Sequence, residues 1–334
     1  DSYKLAGSGW TYANTAGGYH TYTNGTQTLQ VQNTLVRVQA TPAGGGTLTA
    51  DLVTDQLLGG AGNDIFALKD LGGDGKLTGA DFGSISGGAG VNTLAFAAAA
   101  ADNLGIDLSL LTAGKINGIS IIDLAGHGHN HFDLDNNTIQ NMGVNTLRVG
   151  GDLSDSFSLH GDWTYTSTSA GYHTYTDDHG KTLQVSEDMS QVVQGGNSGE
   201  TLTVDHGNTK LMGGDGDDTL VAAAAGSGQH YLDGGQGDDI LRVGDTAGND
   251  GIISSSDFSG LHGGAGYNTL EVGDNLTFDL TSFAPGQVDG IQHVVLGAGS
   301  ILKLDAASLH SMLDDGVSND LSLLLEGDAG SAAL

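Results

Sequence analysis

The chain has 334 residues, with 57 glycines, no cysteine and a net charge of −30 from 40 acidic and 10 basic residues. This charge repels nucleic acid and anionic membrane surfaces, so we predict no nucleic-acid partner and no membrane insertion. No apolar run approaches the ~20 residues that a membrane span needs. Without cysteine, neither disulfides nor thiolate metal sites hold this glycine-rich chain together. The composition therefore predicts another stabiliser.

The acidic residues are almost all aspartate, since the only glutamates are Glu187, Glu200, Glu271 and Glu326. A short carboxylate beside glycine suits tight loops in which it bends back onto the backbone or onto a cation. We therefore predict that several calcium ions stabilise the fold.

Two copies of one unit make up the chain, and we place them at residues 1–154 and 155–334. Residues 16–23 (AGGYHTYT) return as residues 169–176 (SAGYHTYT), and Trp10 returns as Trp163. The alternating residues on both sides of a turn predict a β-hairpin in each repeat, with a type I′ turn at Asn24-Gly25 in the first.

Five segments fit the nonapeptide G-G-x-G-x-D-x-U-x, in which U is a large apolar residue. The glycines permit a tight turn with inward carbonyls, the sixth side chain supplies an oxygen, and the eighth residue starts a strand that faces the interior. Calcium takes six to eight oxygens, so successive turns must stack to complete a site. The predicted metal-binding residues are Gly59, Ala61, Asp64, Gly87, Ala89, Asn92, Gly213, Asp215, Asp218, Gly234, Gln236, Asp239, Gly263, Ala265 and Asn268.

These motifs resemble the RTX, or haemolysin-type calcium-binding, family, and the phrases at 118–126 and 145–149 resemble repetitive RTX adhesins of bacterial surfaces. The resemblance implies a parallel β-roll or β-helix solenoid that is secreted by a type I system and folds on calcium outside the cell. The nonapeptides are mostly isolated and not in tandem, which favours an irregular solenoid. The expected fold is all-β, a solenoid with calcium-binding turns and a β-hairpin appended to each repeat.

Residues 70–81 match an EF-hand-like calcium loop at positions 1, 5, 6, 8 and 12. The predicted ligands are Asp70, Asp74, the carbonyl of Lys76, and Asp81, as in dockerin-type loops that end on the shorter acid. Gly75 would make the sharp turn and Leu77 would anchor the loop inward. The alternative is a plain Gly-Asp turn.

The second repeat contains a less regular version of this loop. With Asp257 at position 12, Asp250 falls at position 5 but Thr246 falls at position 1. Asp245 serves as the first ligand only if the loop bulges by one residue. We include Asp245, Asp250 and Asp257 among the predicted calcium ligands, with a plain turn again as the alternative.

Histidines and aromatic residues admit two interpretations each. His127, His129 and His131 alternate in a pattern that suits a transition metal, although we favour a glycine-rich turn whose histidines face solvent. We expect His20 and His173 to face solvent. The tryptophans and tyrosines of the hairpins either pack over an open end of the solenoid, which we favour, or stack on a cell-surface or matrix polysaccharide. Residues 97–101 and 305–313 are predicted to form short helices or bends.

We predict that the chain is not an enzyme. The acid pairs Asp217/Asp218 and Asp238/Asp239 lie in calcium-loop spacing, and no nucleophile elbow, P-loop or zinc-protease motif occurs. The expected function is a calcium-dependent structural or extender segment of a secreted bacterial surface protein, such as an adhesin or biofilm protein. Its expected partners are neighbouring repeats or copies of itself, outside the cell or on its surface. The alternatives are a subunit of an extracellular filament or surface layer, and a calcium-binding module of a secreted enzyme.

Overall fold

The structure is a computed structural model that describes residues 1–5, 9–96, 104–109, 111–124, 128–204, 206–223, 228–247, 249–313, 322–327 and 332–333. The chain divides into two compact units, Asp1–Met189 (unit 1) and Ser190–Leu334 (unit 2), each with its own hydrophobic core. Both units are built almost entirely of β-strands in mostly parallel sheets, which confirms the all-β class. Neither α-helix in the described ranges is long and apolar enough to cross a membrane.

The elements of unit 1 follow in chain order. They are β1 (Ser2–Tyr3), β2 (Thr11–Ala16), β3 (Tyr19–Asn24), β4 (Gln27–Gln32), β5 (Val36–Ala40), β6 (Thr47–Thr49), β7 (Gln56–Leu58), β8 (Ile65–Leu68), β9 (Lys76–Leu77), β10 (Ser84–Ser86), β11 (Thr93–Phe96), β12 (Gly105–Asp107), β13 (Ile116–Asn117), β14 (Ile121–Asp123), β15 (His131–Asp135), α1 (Thr138–Asn141), β16 (Thr146–Gly150), β17 (Ser156–His160), β18 (Trp163–Ser169), β19 (Tyr172–Asp177) and β20 (Thr182–Ser186).

Three parallel sheets run through unit 1. The first has the order β1-β5-β7-β10-β13, the second β6-β8-β11-β14-β16-β20, and the third β9-β12-β15-β17. From β7 to β15 the chain visits the three sheets in the same order three times, so each pass adds one strand to each sheet. Like residues stack in register, as with Phe66, Leu94 and Ile122 of the second sheet, which are fully buried. Alternating side chains therefore form the core from short strands.

Unit 2 repeats this plan with its own elements. They are β21 (Ser190–Gln194), β22 (Thr201–Thr203), β23 (Thr209–Asp215), β24 (Thr219–Ala222), β25 (His230–Gln236), β26 (Ile240–Val243), β27 (Ile252–Ile253), β28 (Phe258–His262), β29 (Thr269–Val272), β30 (Thr277–Asp279), a 3₁₀ turn (Leu280–Ser282), β31 (Val288–Asp289), β32 (His293–Leu296), β33 (Ile301–Lys303), α2 (Ala306–Leu313), β34 (Leu324–Gly327) and β35 (Ala332–Ala333).

The strands of unit 2 also form three parallel sheets, with the orders β21-β23-β25-β28-β31, β22-β24-β26-β29-β32-β34 and β27-β30-β33-β35. Leu220, Leu241 and Leu270 stack in register at the eighth nonapeptide position and are fully buried. The prediction that this position starts an inward-facing strand is confirmed. The helix predicted near residue 305 is confirmed by α2, whereas residues 97–101 lie outside the described residues.

The sequence repeat and the compact unit are different divisions of the chain. The hairpin of the second repeat belongs spatially to unit 1, because β20 pairs with β16 and because Tyr175, Leu183 and Val185 join that core. The repeat boundary at 154/155 therefore describes the duplication, and the unit boundary follows Met189.

Each repeat carries the predicted antiparallel hairpin, formed by β2-β3-β4 in the first repeat and by β18-β19-β20 in the second. The predicted type I′ turn between β3 and β4 is wrong. That geometry needs positive φ at both central residues, and of Gly25 and Thr26 only Gly25 has it, at 58°. The type I′ turn lies one connection earlier, between β2 and β3.

The earlier turn gives a matched pair of stability variants. It has positive φ at Gly17 (58°) and Gly18 (82°) in the first repeat, and at Ala170 (54°) and Gly171 (81°) in the second. A left-handed alanine is strained, so we expect Ala170→Gly to raise the free energy of unfolding by about 0.5–1 kcal/mol and Gly17→Ala to lower it similarly. A Cβ on Gly17 meets no described atom within 4 Å, so only backbone strain is changed. Urea unfolding measures both, and a loss of stability in Ala170→Gly would contradict the turn.

The prediction that His20 and His173 face solvent is wrong, since each is only 7% exposed. Nδ1 of His20 lies 2.7 Å from Oγ1 of Thr15, and Nδ1 of His173 lies 2.6 Å from Oγ1 of Thr168. Burial lowers the pKa of both imidazoles. A bulge within the first strand of each hairpin sets the register in which the threonine lies directly across from the histidine.

One tyrosine of each hairpin is buried, as the packing interpretation predicts, whereas Tyr19 is 45% exposed. Tyr22 is fully buried and lies edge-on to Tyr3 at 6.2 Å, and Tyr175 is 2% exposed and lies edge-on to Phe157 at 6.1 Å. Trp163 is partly buried against the core of unit 1. These tyrosine rings serve the core and do not form an open platform.

Candidate metal-binding loops

In loop A (residues 70–81), aspartate side chains hold the backbone in a tight coil. Asp70 Oδ2 accepts a hydrogen bond from the Gly75 N–H at 2.7 Å, and Asp74 Oδ1 accepts one from the residue after Gly75 at 3.0 Å. Asp81 Oδ2 accepts from the Thr78 N–H at 2.9 Å, while its Oδ1 accepts two N–H groups at the start of the loop. The first aspartate thus binds N–H groups in the middle of the coil, and the last binds N–H groups at its start and near its end.

Loop B (residues 245–257) reproduces this pattern. Asp245 Oδ2 accepts from the Gly251 N–H at 2.7 Å, and Asp250 Oδ1 accepts from the following N–H at 2.9 Å. Asp257 Oδ2 accepts from an N–H three residues earlier at 2.9 Å. Asp245 therefore occupies the first position through a one-residue bulge, beside which Asn249 has a φ of 51°.

Both loops are anchored in the cores. Leu77 of loop A and Ile253 of loop B are fully buried, and each lies on the short strand that leaves the coil, β9 or β27. Lys76 precedes Leu77 on β9, so the predicted carbonyl ligand of Lys76 lies on the strand that anchors the loop. The predicted inward anchor is confirmed for both loops.

The side chains of the two loops fit calcium in donor type. All donors are oxygen, and in loop B the buried Oδ1 of Asp245 has no hydrogen-bond partner among the described residues. In loop A, a Cβ placed on Gly72 would lie 3.5 Å from Asp70 Oδ1, 3.7 Å from Asp81 Oδ1 and 3.9 Å from Asp74 Cγ. Three carboxylates therefore border the space beside Gly72.

The carboxylates of loop A do not form a compact cluster. Over the described ranges, the one group of three acidic or histidine ligands that all lie within 4.8 Å is Asp177, Asp178 and His179, so the carboxylates of loop A stand wider. Three ligands of one calcium ion cannot all lie opposite one another, so calcium binding would draw these carboxylates closer together. Asp74 lies exposed at the rim of the loop and is held by the hydrogen bond that its Oδ1 accepts from the Lys76 N–H at 3.0 Å.

The sixth residues of the nonapeptides form an inner ladder, which we define as Asp64 and Asn92 in unit 1 and Asp218, Asp239 and Asn268 in unit 2. All five are at most 1% exposed. In three of the five, the side-chain Oδ1 accepts the backbone N–H of the ladder residue one turn earlier: Asp218 N–H to Asp239 at 2.8 Å, Asp239 N–H to Asn268 at 2.9 Å, and Asp64 N–H to Asn92 at 3.0 Å. The ladder therefore connects successive turns without an ion.

The other predicted nonapeptide residues take backbone roles. The carbonyls of Gln236 and Ala265, at the third position, accept N–H groups of the preceding turn at 2.7 and 2.9 Å. At the first position, the Gly234 carbonyl lies beside Gly213 and the Asp218 side chain of the preceding turn. The Gly263 carbonyl lies in the same way beside Gly234 and the Asp239 side chain. Ala89 donates its N–H to the carbonyl of the previous turn at 3.0 Å. Backbone groups of neighbouring turns make similar contacts with Gly59, Gly87, Gly213 and Asp215.

Aspartate and asparagine behave differently in the inner ladder. Nδ2 of Asn92 and of Asn268 donates to a carbonyl of the next turn, at 3.0 and 2.9 Å. In Asp218 and Asp239 an oxygen, Oδ2, takes that place, and it is buried with no hydrogen-bond partner in the described part of the chain. Desolvation raises the pKa of both carboxyls, that of Asp239 to about 6. Asp64 avoids this conflict because its Oδ2 accepts the Gly60 N–H at 2.9 Å.

The acid pairs separate onto two ladders. Asp217 Oδ1 accepts the Asp238 N–H at 2.9 Å and Asp238 Oδ1 accepts the Tyr267 N–H at 2.7 Å, both at the exposed surface. Their neighbours Asp218 and Asp239 point inward, so neither adjacent pair directs both carboxylates into one site.

Sequence reasoning missed one turn of this ladder. Glu200 donates its N–H to Asp218 Oδ1 at 2.7 Å, and its own Oε2 accepts the Gly196 N–H at 3.1 Å, as Asp64 does with Gly60. The segment 195–202 reads GGNSGETL, with glutamate at the sixth position and one glycine displaced. The glycine pair followed at fixed spacing by Thr-Leu was the available signal.

The predicted histidine cluster is not assembled by its described members. His129 Nδ1 lies 3.3 Å from the Ser154 carbonyl, whereas His131 Nε2 lies 3.4 Å from Asp133. His160 Nε2 also contacts Asp133, at 3.1 Å, and these contacts lower the pKa of that carboxyl. His127 lies outside the described residues.

Comparison with known proteins gives no matching family model and no matching curated protein. The resemblance to RTX proteins therefore stays a prediction.

Proposed function

We propose that this chain is a calcium-dependent structural segment of a secreted bacterial surface protein, non-catalytic, and folded as an irregular parallel β-solenoid. The solenoid is supported by the fixed order in which the chain visits three parallel sheets. Its neighbours would be further repeats or copies of itself, with surface polysaccharide as a further partner, outside the cell.

The observation that carries this proposal is the recurrence of one coil geometry in loops A and B. The two loops differ in length by one residue, yet Asp245 and Asp70, Asp250 and Asp74, and Asp257 and Asp81 accept equivalent backbone N–H groups. Recurrence despite an insertion indicates a constraint on where the carboxylates point.

Charge explains why calcium would control folding. Thirty excess negative charges and 57 glycines oppose compaction. Calcium neutralises carboxylates that the fold brings together, so its binding free energy adds to folding. A chain of this kind stays extended at low calcium and becomes rigid at high calcium, which suits an extender segment.

A calcium titration of the metal-stripped protein tests the proposal. We expect far-UV circular dichroism to show little native β-structure in EGTA and a cooperative gain on adding calcium. Magnesium at equal ionic strength is the control, because its octahedral preference at shorter distances disfavours these loops. An unchanged native spectrum after exhaustive EGTA dialysis would overturn the calcium coupling.

A further inference from the structure

The turn between β19 and β20 differs from its counterpart in the first repeat. It reads Asp177-Asp178-His179-Gly180, where the first hairpin has Asn24-Gly25. The two hairpins otherwise share their strand pairing and their aromatic contacts. The added residues therefore place new chemistry at one hairpin tip, remote in sequence from loops A and B.

The three side chains of this turn converge. His179 Nδ1 lies 2.7 Å from Asp178 Oδ1 and 3.8 Å from Asp177 Oδ2. Asp177 is 7% exposed, and its buried Oδ2 has no hydrogen-bond partner within the described ranges. A buried carboxylate oxygen thus faces an imidazole nitrogen at 3.8 Å, a distance too long for a hydrogen bond.

Asp177 is held in place by its other oxygen. Its Oδ1 accepts the N–H groups of His179 at 3.0 Å and Lys181 at 2.6 Å, which fixes the carboxylate within the turn. The ammonium of Lys181 is engaged elsewhere, at 3.1 Å from the Val144 carbonyl and 2.9 Å from Asn145 Oδ1. The nearest lysine in the sequence therefore directs its charge away from the cluster.

We propose that Asp177, Asp178 and His179 form a binding site for a divalent transition metal such as Zn²⁺. Imidazole nitrogen with carboxylate oxygen suits zinc and its neighbours, whereas calcium prefers oxygen alone. With metal–ligand distances near 2.1 Å, tetrahedral ligands stand about 3.4 Å apart, between the two distances observed here. Three protein ligands leave the fourth position to water or to a group from another molecule.

Zinc titration calorimetry on the calcium-saturated protein tests this site, because calcium then occupies the carboxylate loops. We expect one zinc site in the wild type, weakened at least about tenfold in His179→Ala and in Asp177→Asn. Asp177→Asn retains an oxygen for the two backbone N–H groups. Cobalt(II) should give the visible absorption of a low-coordinate site in the wild type and lose it in both variants.

The matched control is His160→Ala, which removes another exposed histidine that contacts a carboxylate, Asp133. It should leave the zinc affinity of the tip unchanged. Absence of zinc binding in the wild type, undiminished affinity in both tip variants, or equal weakening by His160→Ala would each overturn the proposal. Far-UV circular dichroism in calcium confirms that the variants are folded.

Discussion

Replacing Asp218 and Asp239 by asparagine should stabilise unit 2 by about 1–3 kcal/mol per site at pH 7.5, the range for relieving a buried unsatisfied polar group. Each carboxylate has one buried oxygen without a hydrogen-bond partner in the described chain. Removing a charge from 0–1% exposed positions also removes its desolvation cost.

The chain itself shows what asparagine does at this position. Around Gly263 of the last nonapeptide, Nδ2 of Asn268 donates to the Gly290 carbonyl at 2.9 Å. Around Gly234, Oδ2 of Asp239 and the Gly263 carbonyl both lie close to where an added Cβ would stand, so two acceptors meet there. The amide introduced by Asp239→Asn would supply the missing donor without changing the shape of the side chain.

The stability gained by Asp239→Asn should depend on pH. The pKa of Asp239 is raised to about 6 from 3.8, so the folded state binds its proton more tightly than the unfolded state. The contribution of this one carboxyl to stability is therefore fully present below pH 3.8 and is lost as pH rises through about 6. We expect the advantage of Asp239→Asn to be largest above pH 7 and to shrink towards pH 4, where a protonated carboxyl is itself a donor.

Urea unfolding in saturating calcium at several pH values measures this effect. Asn268→Asp is the matched control, since it creates the same conflict beside the Gly290 carbonyl and should destabilise the protein at pH 7.5. The same variants test the prediction that the sixth nonapeptide residues bind calcium. If these residues do bind calcium, Asp218→Asn and Asp239→Asn should lose stability in calcium. That loss would contradict the predicted gain.

The elements that could be predicted from the sequence are those with a local cause. The eighth-position residues, such as Phe66 and Leu220, are buried because they alternate with more exposed residues along short strands. The coil of loop A follows from aspartates that bind N–H groups only a few residues away. Such contacts are encoded within one segment of sequence.

The remaining features depend on residues one full turn of chain away. The partner of the Asp239 carboxylate is set by which group stacks above it in the next nonapeptide, and the spacing of a motif does not contain that information. His20 is likewise covered through a strand bulge that positions Thr15, which alternation alone does not indicate. Register between turns, more than residue type, determines these environments.

Asp74→Asn and Asp250→Asn should each remove most of one calcium-dependent contribution to folding. A site saturated at 100 times its Kd stabilises the folded state by about 2.7 kcal/mol, so the double variant should lose roughly 5 kcal/mol in calcium. Both aspartates are exposed, and each accepts one backbone N–H, at 3.0 and 2.9 Å, which an asparagine oxygen also accepts. The loop coils should therefore survive while each ligand loses its charge.

The dependence of the unfolding free energy on calcium concentration separates ligand loss from a general charge effect. Each variant should lower the number of calcium ions released on unfolding by one, and the double variant by two. Asp162→Asn removes the same charge from an exposed residue outside both loops and should change neither the number nor the stability in calcium. Equal responses in Asp162→Asn and Asp74→Asn would assign the calcium effect to screening of the net charge, and loops A and B would then be plain Gly-Asp turns.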